Sequence, residues 1–469
     1  MESLGGIALI LGAVTALVLA NSPAAEAVDH FWHYHLHIEA GPFSVDESLV
    51  HWVNDALMAI FFFVAGLEIK RELVVGDLRD PRKAALPAIA AAGGMVIPAL
   101  FYVAVADPTT RGGWGIPMAT DIAFAVGILT LLGNRVPSRL KVFLLTLAIV
   151  DDLGAIAVIA VFYTSTVNTT ALAMAGVLVA TIIALRVLGV WWMPLYILVG
   201  VGLWLAVFES GVHATLAGVA CGLLAPAKPR RPEPTNVVAN PDDPIATLNS
   251  IVFDTKETKS VVDRLINGLH PVTALIIVPI FALANTGVAV SGAALADAAA
   301  AATSQAIVFG LLVGKPVGIV LAALLSVKAG IAVLPEGTKW SHVVGVGFLA
   351  GIGFTVSLFI TDLAFDDAAV IANAKIAVLA ASVLASALGA IALTQAGGAS
   401  ALATDAVQEA QGSGDDEHGD GELGPITWDE LASTGTGAST VASGPVVDAP
   451  TASEVAGSAT TTPTSTGDD

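Results

Sequence analysis

Apolar stretches of about 20 residues recur along this chain, and they confine it to a bundle of helices crossing a bilayer. They lie near 4–20, 52–70, 84–105, 115–132, 141–162, 170–189, 191–208 and 211–225, then near 270–290, 303–326, 342–361 and 371–394. The chain has 469 residues, of which 55% are hydrophobic and 13% charged. Soluble domains carry about 25% charged residues, so a water-soluble globule is excluded. The reading is an all-α membrane protein with twelve spans.

The formal net charge of −20 is misleading. Residues 396–469 hold 13 Asp and Glu and no Lys or Arg, which leaves 27 acidic and 20 basic groups before them. That tail is Gly-, Ser-, Thr-, Asp- and Ala-rich, so it is expected to be a disordered acidic cytoplasmic segment. Residues 1–395 are the expected transmembrane domain, with a Pro- and Asn-rich cytoplasmic linker at about 226–260. No basic, aromatic face points to nucleic acid. Cys221 is the one cysteine, so no intrachain disulfide can form. The first stretch begins Met-Glu-Ser-Leu without a positive charge, so it reads as a retained helix although Ala25-Glu26-Ala27 imitates a cleavage site.

Loop charges orient the chain. Lys70, Arg71, Arg79, Arg82 and Lys83 follow the second stretch, and Arg135, Arg139 and Lys141 the fourth. Arg186, the 226–264 cluster, and Lys328 with Lys339 mark alternate connections after that, while Lys375 lies at the edge of the eleventh. The positive-inside rule then places both termini in the cytoplasm. Segment 38–50, with Gly41-Pro42 between short alternating runs, predicts a small external hairpin.

Four ionisable residues fall mid-stretch: Asp121, Asp151, Asp152 and Lys315. Such groups cost several kcal/mol and mark function by default. Adjacent helical residues point about 100° apart, so Asp151 and Asp152 can serve different neighbours. Two carboxylates this close do not both ionise freely and titrate as a unit. They can hold protons or a small hard cation, which prefers oxygen ligands. A purely structural reading has a buried carboxylate capping a neighbouring helix. Lys315 has too much apolar chain on both sides to snorkel, so it should pair with a carboxylate, with Asp151 the candidate; a structural salt bridge is the alternative. Gly115 and Pro117 before Thr120-Asp121, and Gly345, Gly347, Gly351 and Gly353 near the end, predict two interrupted helices. Asp121 would then offset exposed positive helix ends, and Thr120 would offer a hydroxyl or carbonyl to an ion.

Six strings carry a family resemblance: FFFVAGLEIKREL at 61–73, GIPMATDIAFAVGIL at 115–129, LTLAIVDDLGAIAVIA at 145–160, GVHATLAG at 211–218, LVGKPVGI at 312–319 and GIGFTVSLFI at 351–360. They resemble the bacterial NhaA-type sodium/proton antiporters over residues 1–395. The resemblance implies twelve helices with two inverted-topology repeats, and interrupted helices crossing near the midplane. It implies electrogenic exchange of sodium, or lithium, for protons in the cytoplasmic membrane, with no cofactor beyond the transported ions. By resemblance Asp152 is the main sodium ligand with Thr120 nearby, Asp151 the proton-linked partner of Lys315, and Asp121 the compensating charge. Glu68, Lys70, Arg71 and Glu72 would line a cytoplasmic funnel that sets the pH response; an ordinary positive-inside helix end is the alternative. Asp55 and His213 also fall at family positions without being direct ligands, and the hairpin fits a homodimer.

Two features depart from that pattern: the tail after 395 has no counterpart in it, and Ile266 is not acidic. Ile266 stands four residues before His270-Pro271, where some members have an acidic residue linked to pH activation. His30, His33, His35 and His37 invite a metal reading but lack a Cys or carboxylate frame. Rival functions fit less well. An intramembrane aspartyl protease needs its carboxylates on separate helices, a channel needs a polar stripe, and a cation symporter is opposed by the motifs alone.

Overall fold

A computed structural model of the protein describes residues 2–412 apart from 41–42, 134–135, 165–166, 191, 228–259 and 336. The sequence linker and the tail beyond 412 therefore lie outside the described residues. The helices are α1 (Glu2–Ala20), α2 (Ala25–Trp32), α3 (Leu49–Val74), α4 (Pro81–Val105), α5 (Arg111–Leu132) and α6 (Ser138–Phe162). After them come α7 (Thr169–Val187), α8 (Met193–Glu209), α9 (Thr215–Leu224), α10 (Val261–Asn285), α11 (Gly292–Ala300), α12 (Ala302–Lys328), α13 (Trp340–Ala350), α14 (Phe354–Ala364) and α15 (Ala368–Gly412).

Among the described residues, eight helices are each long and apolar enough to cross a membrane, and two bent pairs bring the number to ten. One pair is α1 with α2, bent by 118°, and the other is α13 with α14, bent by 45°. Large apolar side chains lie exposed along α1, α7 and α8, Val18, Val177 and Leu198 among them, while Asp151 and Lys315 are wholly buried. That inversion of the soluble pattern fits a hydrocarbon surround. The chain is a multi-pass, all-α membrane protein.

The expected hairpin is present. Strands β1 (His35–Ala40) and β2 (Phe43–Ser48) pair antiparallel with Ile38 opposite Val45. Its turn falls on residues 41–42, outside the described set.

Two helix limits differ from the sequence expectation. The ninth stretch was expected near 270–290, but α10 starts at Val261, where the Ser260 hydroxyl accepts the Asp263 N–H at 3.0 Å. Asp263 and Arg264 had masked this polar first turn as linker. The last helix continues past the boundary expected near 395, as far as Gly412.

Three π-helical turns break the α-helical register, at Val53–Leu57, Thr273–Ile277 and Gly310–Gly314. The second and third run straight into Pro279 and Pro316. A proline cannot donate to the carbonyl four residues back, so the preceding turn widens. The third such turn delivers Lys315 into the core.

The main core gathers around Phe62, Phe281 and Phe359, whose rings lie 5.8 and 6.5 Å apart through Phe359. A second cluster, including Ile182, Leu203 and Ala217, packs α7, α8 and α9 together. The sequence Gly218-Val-Ala-Cys-Gly222 lets α9 touch the α3 backbone. A Cβ on Gly218 would sit 2.0 Å from the Ala59 carbonyl oxygen, and one on Gly222 would sit 2.6 Å from that of Phe63. Small residues allow such contact in membranes, where apolar surfaces gain little by meeting each other. Gly218→Leu should therefore cost about 1–3 kcal/mol, as overpacking does. Gly176→Ala, on α7 with open space around it, should cost nothing. Thermal unfolding in detergent would compare them, and equal midpoints would refute this account of the contact.

Candidate functional site

The site grows from two helices interrupted inside the apolar region. α5 begins as a 3-10 segment, Arg111–Met118, and resumes as α-helix at Ile122. Between them the chain is extended, with ψ of 152° at Ala119 and 98° at Asp121. The second interruption separates α13 from α14 at residues 351–353. Each break leaves N–H groups and carbonyls without intrahelical partners.

The breaks satisfy each other. The Asp121 backbone N–H donates to the Ile352 carbonyl at 2.7 Å. The Asp121 carboxylate accepts the Phe124 N–H at 3.0 Å, capping the second half of α5. Its other oxygen accepts the Thr355 N–H at 3.1 Å and the Thr355 hydroxyl at 2.8 Å, capping α14. One negative charge thus faces two positive helix ends. The Ser357 hydroxyl adds a bond to the Ile116 carbonyl at 2.7 Å. Ser382 of α15 accepts the Phe354 N–H at 3.2 Å.

The carbonyl side is met by a cation. Lys315 Nζ donates to the Met118 carbonyl, at the end of the 3-10 segment. The same ammonium lies 2.5 Å from Asp151 Oδ2, and both side chains are fully buried. The Thr120 hydroxyl reaches Asp151 Oδ2 at 2.6 Å and the Ala350 carbonyl at 2.9 Å. Its one hydrogen has two acceptors in range.

Straight helix α6 supplies both carboxylates. Asp151 Oδ2 takes Lys315 and Thr120, while Asp151 Oδ1 and Asp152 Oδ1 are buried and have no hydrogen-bond partner among the described residues. Asp152 is 7% exposed. The charges of Asp151, Glu68, Asp121 and Lys315 all act on it. Buried polar atoms are almost always paired. Two unpartnered acceptor oxygens on adjacent carboxylates make a place for a proton or a hard cation.

The expected site residues separate into three groups. Thr120, Asp121, Asp151, Asp152 and Lys315 come together at the crossing. Thr120 bonds to Asp151, where the resemblance had set it beside Asp152. Glu68 acts on Asp152, whereas Arg71 and Glu72 form a pair at 3.8 Å and Glu72 accepts the Asp77 N–H at 3.1 Å. Glu72 therefore closes the turn after α3, and Lys70 lies half-buried on the same turn of helix. Asp55 sits in the first π turn, where its carbonyl accepts the Trp204 indole N–H at 3.0 Å. His213 contacts the Tyr163 carbonyl at 2.6 Å. Sequence reasoning missed Thr355, Ser357 and Ser382. The hydroxyls of Thr355 and Ser357 directly after a Gly-rich break were the available signal.

Asp121→Ala removes both caps, each worth about 0.5–2 kcal/mol. Thr355→Val removes one hydroxyl bond. Unfolding temperatures in detergent should fall in the order wild type, Thr355→Val, Asp121→Ala. Equal values for the two variants would mean that the α5 cap contributes nothing.

Sequence comparison places this geometry in a family. The profile of the family described as Na+/H+ antiporter 1 matches residues 1–393. The Na(+)/H(+) antiporter NhaA 3 of Frankia alni is 47% identical over 400 residues, covering 84% of this chain and 86% of its own length. The Na(+)/H(+) antiporter NhaA of Escherichia coli O1:K1 is 45% identical over 393 residues, covering 83% of this chain and 94% of its own. That of Bordetella parapertussis is 47% identical over 390 residues, with 83% and 93% covered. Match lengths of this kind span every residue of the crossing, and the chain belongs to the Na+/H+ antiporter 1 family of transporters.

Proposed function

We propose that this sodium/proton antiporter exchanges its ions at the two unpartnered oxygens of Asp151 and Asp152, by alternating access and electrogenically. The observation that carries the reading is that pair of buried orphan acceptors beside the Lys315–Asp151 contact. Asp152 is the main sodium ligand. Asp151 Oδ1 and Thr120 complete the oxygen set, and lithium, also a hard monovalent cation, is an alternative substrate. Protons and sodium compete for the same oxygens, and that competition couples their movements. Asp152 gives up one proton as sodium binds. A second leaves the Asp151–Lys315 pair, so more protons than sodium ions move per cycle. Asp121 holds the crossing together throughout without ligating the ion.

The broader arrangement belongs to the same proposal. The 17-residue α8 and the 10-residue α9 are apolar but short. Counted as spans with the ten above, they give twelve; an even number keeps both termini on one side, and the positive-inside rule supports the cytoplasmic side of a bacterial inner membrane. The interrupted α5 and α13–α14 sit at corresponding positions of two inverted repeats. Glu68 and its neighbours line the cytoplasmic approach and tune the pH response. The external hairpin joins two copies.

Inverted vesicles with an acid interior test the exchange. Sodium should dissipate the proton gradient, and Asp152→Asn should abolish the response. Collapsing the membrane potential should change the rate, because net charge moves. A wild type that leaves the gradient untouched, or an Asp152→Asn variant that behaves as wild type, overturns the proposal.

A further inference from the structure

His342 lies in the first turn of α13, the cytoplasmic-loop end of the second interrupted helix, and is 1% exposed. Its Nδ1 accepts the backbone N–H of Lys339 at 3.0 Å. Lys339 is the N-cap residue, and its ammonium has no acceptor to return to the helix. The imidazole therefore closes this end from one side. A ring nitrogen that accepts an N–H carries no hydrogen itself, so the neutral ring holds its hydrogen on Nε2. That Nε2 is buried without a partner among the described residues. A protonated ring has hydrogen on both nitrogens and no acceptor left. The cap and the imidazolium exclude each other.

The charged surroundings sharpen this. α13 packs against α12, α6, the second half of α5 and α15. Those elements carry Lys315 and Lys328, Arg139 and Lys141, Asp151 and Asp152, and Lys375, while the side chains of Asp405 and Glu409 of α15 lie outside the described set. Asp151 and Asp152 belong to the crossing, and Lys375 pairs with Asp362 of α14 at 2.8 Å. The charge that acts on the His342 ring is Lys339. Glu336 of the connecting loop lies outside the described residues.

The other end of α13 reaches the site. Its last residue, Ala350, supplies the carbonyl that holds the Thr120 hydroxyl, and Ile352 holds the Asp121 N–H. Gly347 packs on Pro316, beside Lys315. Loosening the first turn of an 11-residue helix that carries these contacts loosens the crossing.

We propose that His342 is a positioning residue: its neutral ring caps α13, and its protonation releases the cap and slows turnover as pH falls. The proposal rests on the antiport reading above and deepens it. It is also specific to pH, since the cap is present while the ring is neutral and is lost as pH drops through the ring's titration.

The full chain in inverted vesicles provides the test, with the initial rate at saturating sodium measured between about pH 5 and 8.5, a range that extends well below the ordinary histidine titration. Proton competition at the ion site raises the sodium KM, whereas loss of the cap lowers the maximal rate. His342→Gln keeps an acceptor at every pH. Its maximal rate at alkaline pH should stay near wild type, and its acid-to-alkaline ratio should rise roughly three- to tenfold, the worth of a helix cap. His342→Ala should be slow throughout. A His342→Gln profile that superimposes on wild type overturns the proposal. Hydrogen exchange of amides 339–345 in the purified wild-type chain gives a second reading. Protection, corrected for intrinsic rates, should fall on acidification, and unchanged protection refutes the cap even where a variant fails to fold. A wild type without any sodium response at alkaline pH is a failure of the antiport reading, and the exchange measurement still decides the cap.

Discussion

A helix interrupted inside an apolar core needs partners for backbone groups that water would otherwise satisfy, and here one carboxylate serves two such breaks. Asp121 accepts from Phe124, from Thr355 and from the Thr355 hydroxyl, so the N-terminal ends of two half-helices share one charge. Lys315 takes the opposite role at the Met118 carbonyl. The broken segments are thereby held together without any run of regular structure between them. The carboxylate cluster depends on this, because the Thr120 hydroxyl reaches both Asp151 and the Ala350 carbonyl only where the breaks cross.

Much of that arrangement was readable in the residues, for definite reasons. Lys315 sits too deep to snorkel, and a buried ammonium must find a carboxylate; the pairing with Asp151 followed. Gly115, Pro117 and the later glycines announced the breaks because they disfavour continuous helix. The hairpin was visible from alternation around Gly41-Pro42. Other features were hidden by the same physics. Thr355 and Ser357 look like ordinary hydroxyls in a membrane helix, since their value lies in carbonyls and carboxylates more than 230 residues away in sequence. The start of α10 was masked because Asp263 and Arg264 belong to a polar first turn that resembles linker. The choice of Asp151 over Asp152 for Thr120 depends on how α6 is rotated, which periodicity does not fix.

Adjacency gives the two aspartates unequal duties. Neighbouring helical positions diverge by about 100°, so the two side chains leave α6 in different directions and meet different hydrogen-bond partners. Asp151 is tied on one oxygen to Lys315 and Thr120 and open on the other. Asp152 is open on Oδ1 and lies within the field of Glu68 as well as of its neighbour. A pair built this way has one carboxylate whose proton depends on a lysine and one whose proton depends on the approaching ion.

The same separation extends along α13. Its end at Ala350 meets the ion site, and its start at His342 meets the connecting loop. A titratable group placed among the ligands would alter ion affinity whenever it changed charge. Placed a helix length away, at the cap, it would act through the stability of the crossing and not by its own charge among the ligands. Ile266 offers no carboxylate at the position where some relatives carry one for pH activation, and it is buried instead against Leu67 and Val262. The ends of the helices that form the crossing offer a further place for a pH response, beside the residues around Glu68. His342, buried and spending its one free acceptor on Lys339, is the described group outside the ion site whose protonation would directly break a bond holding such a helix end.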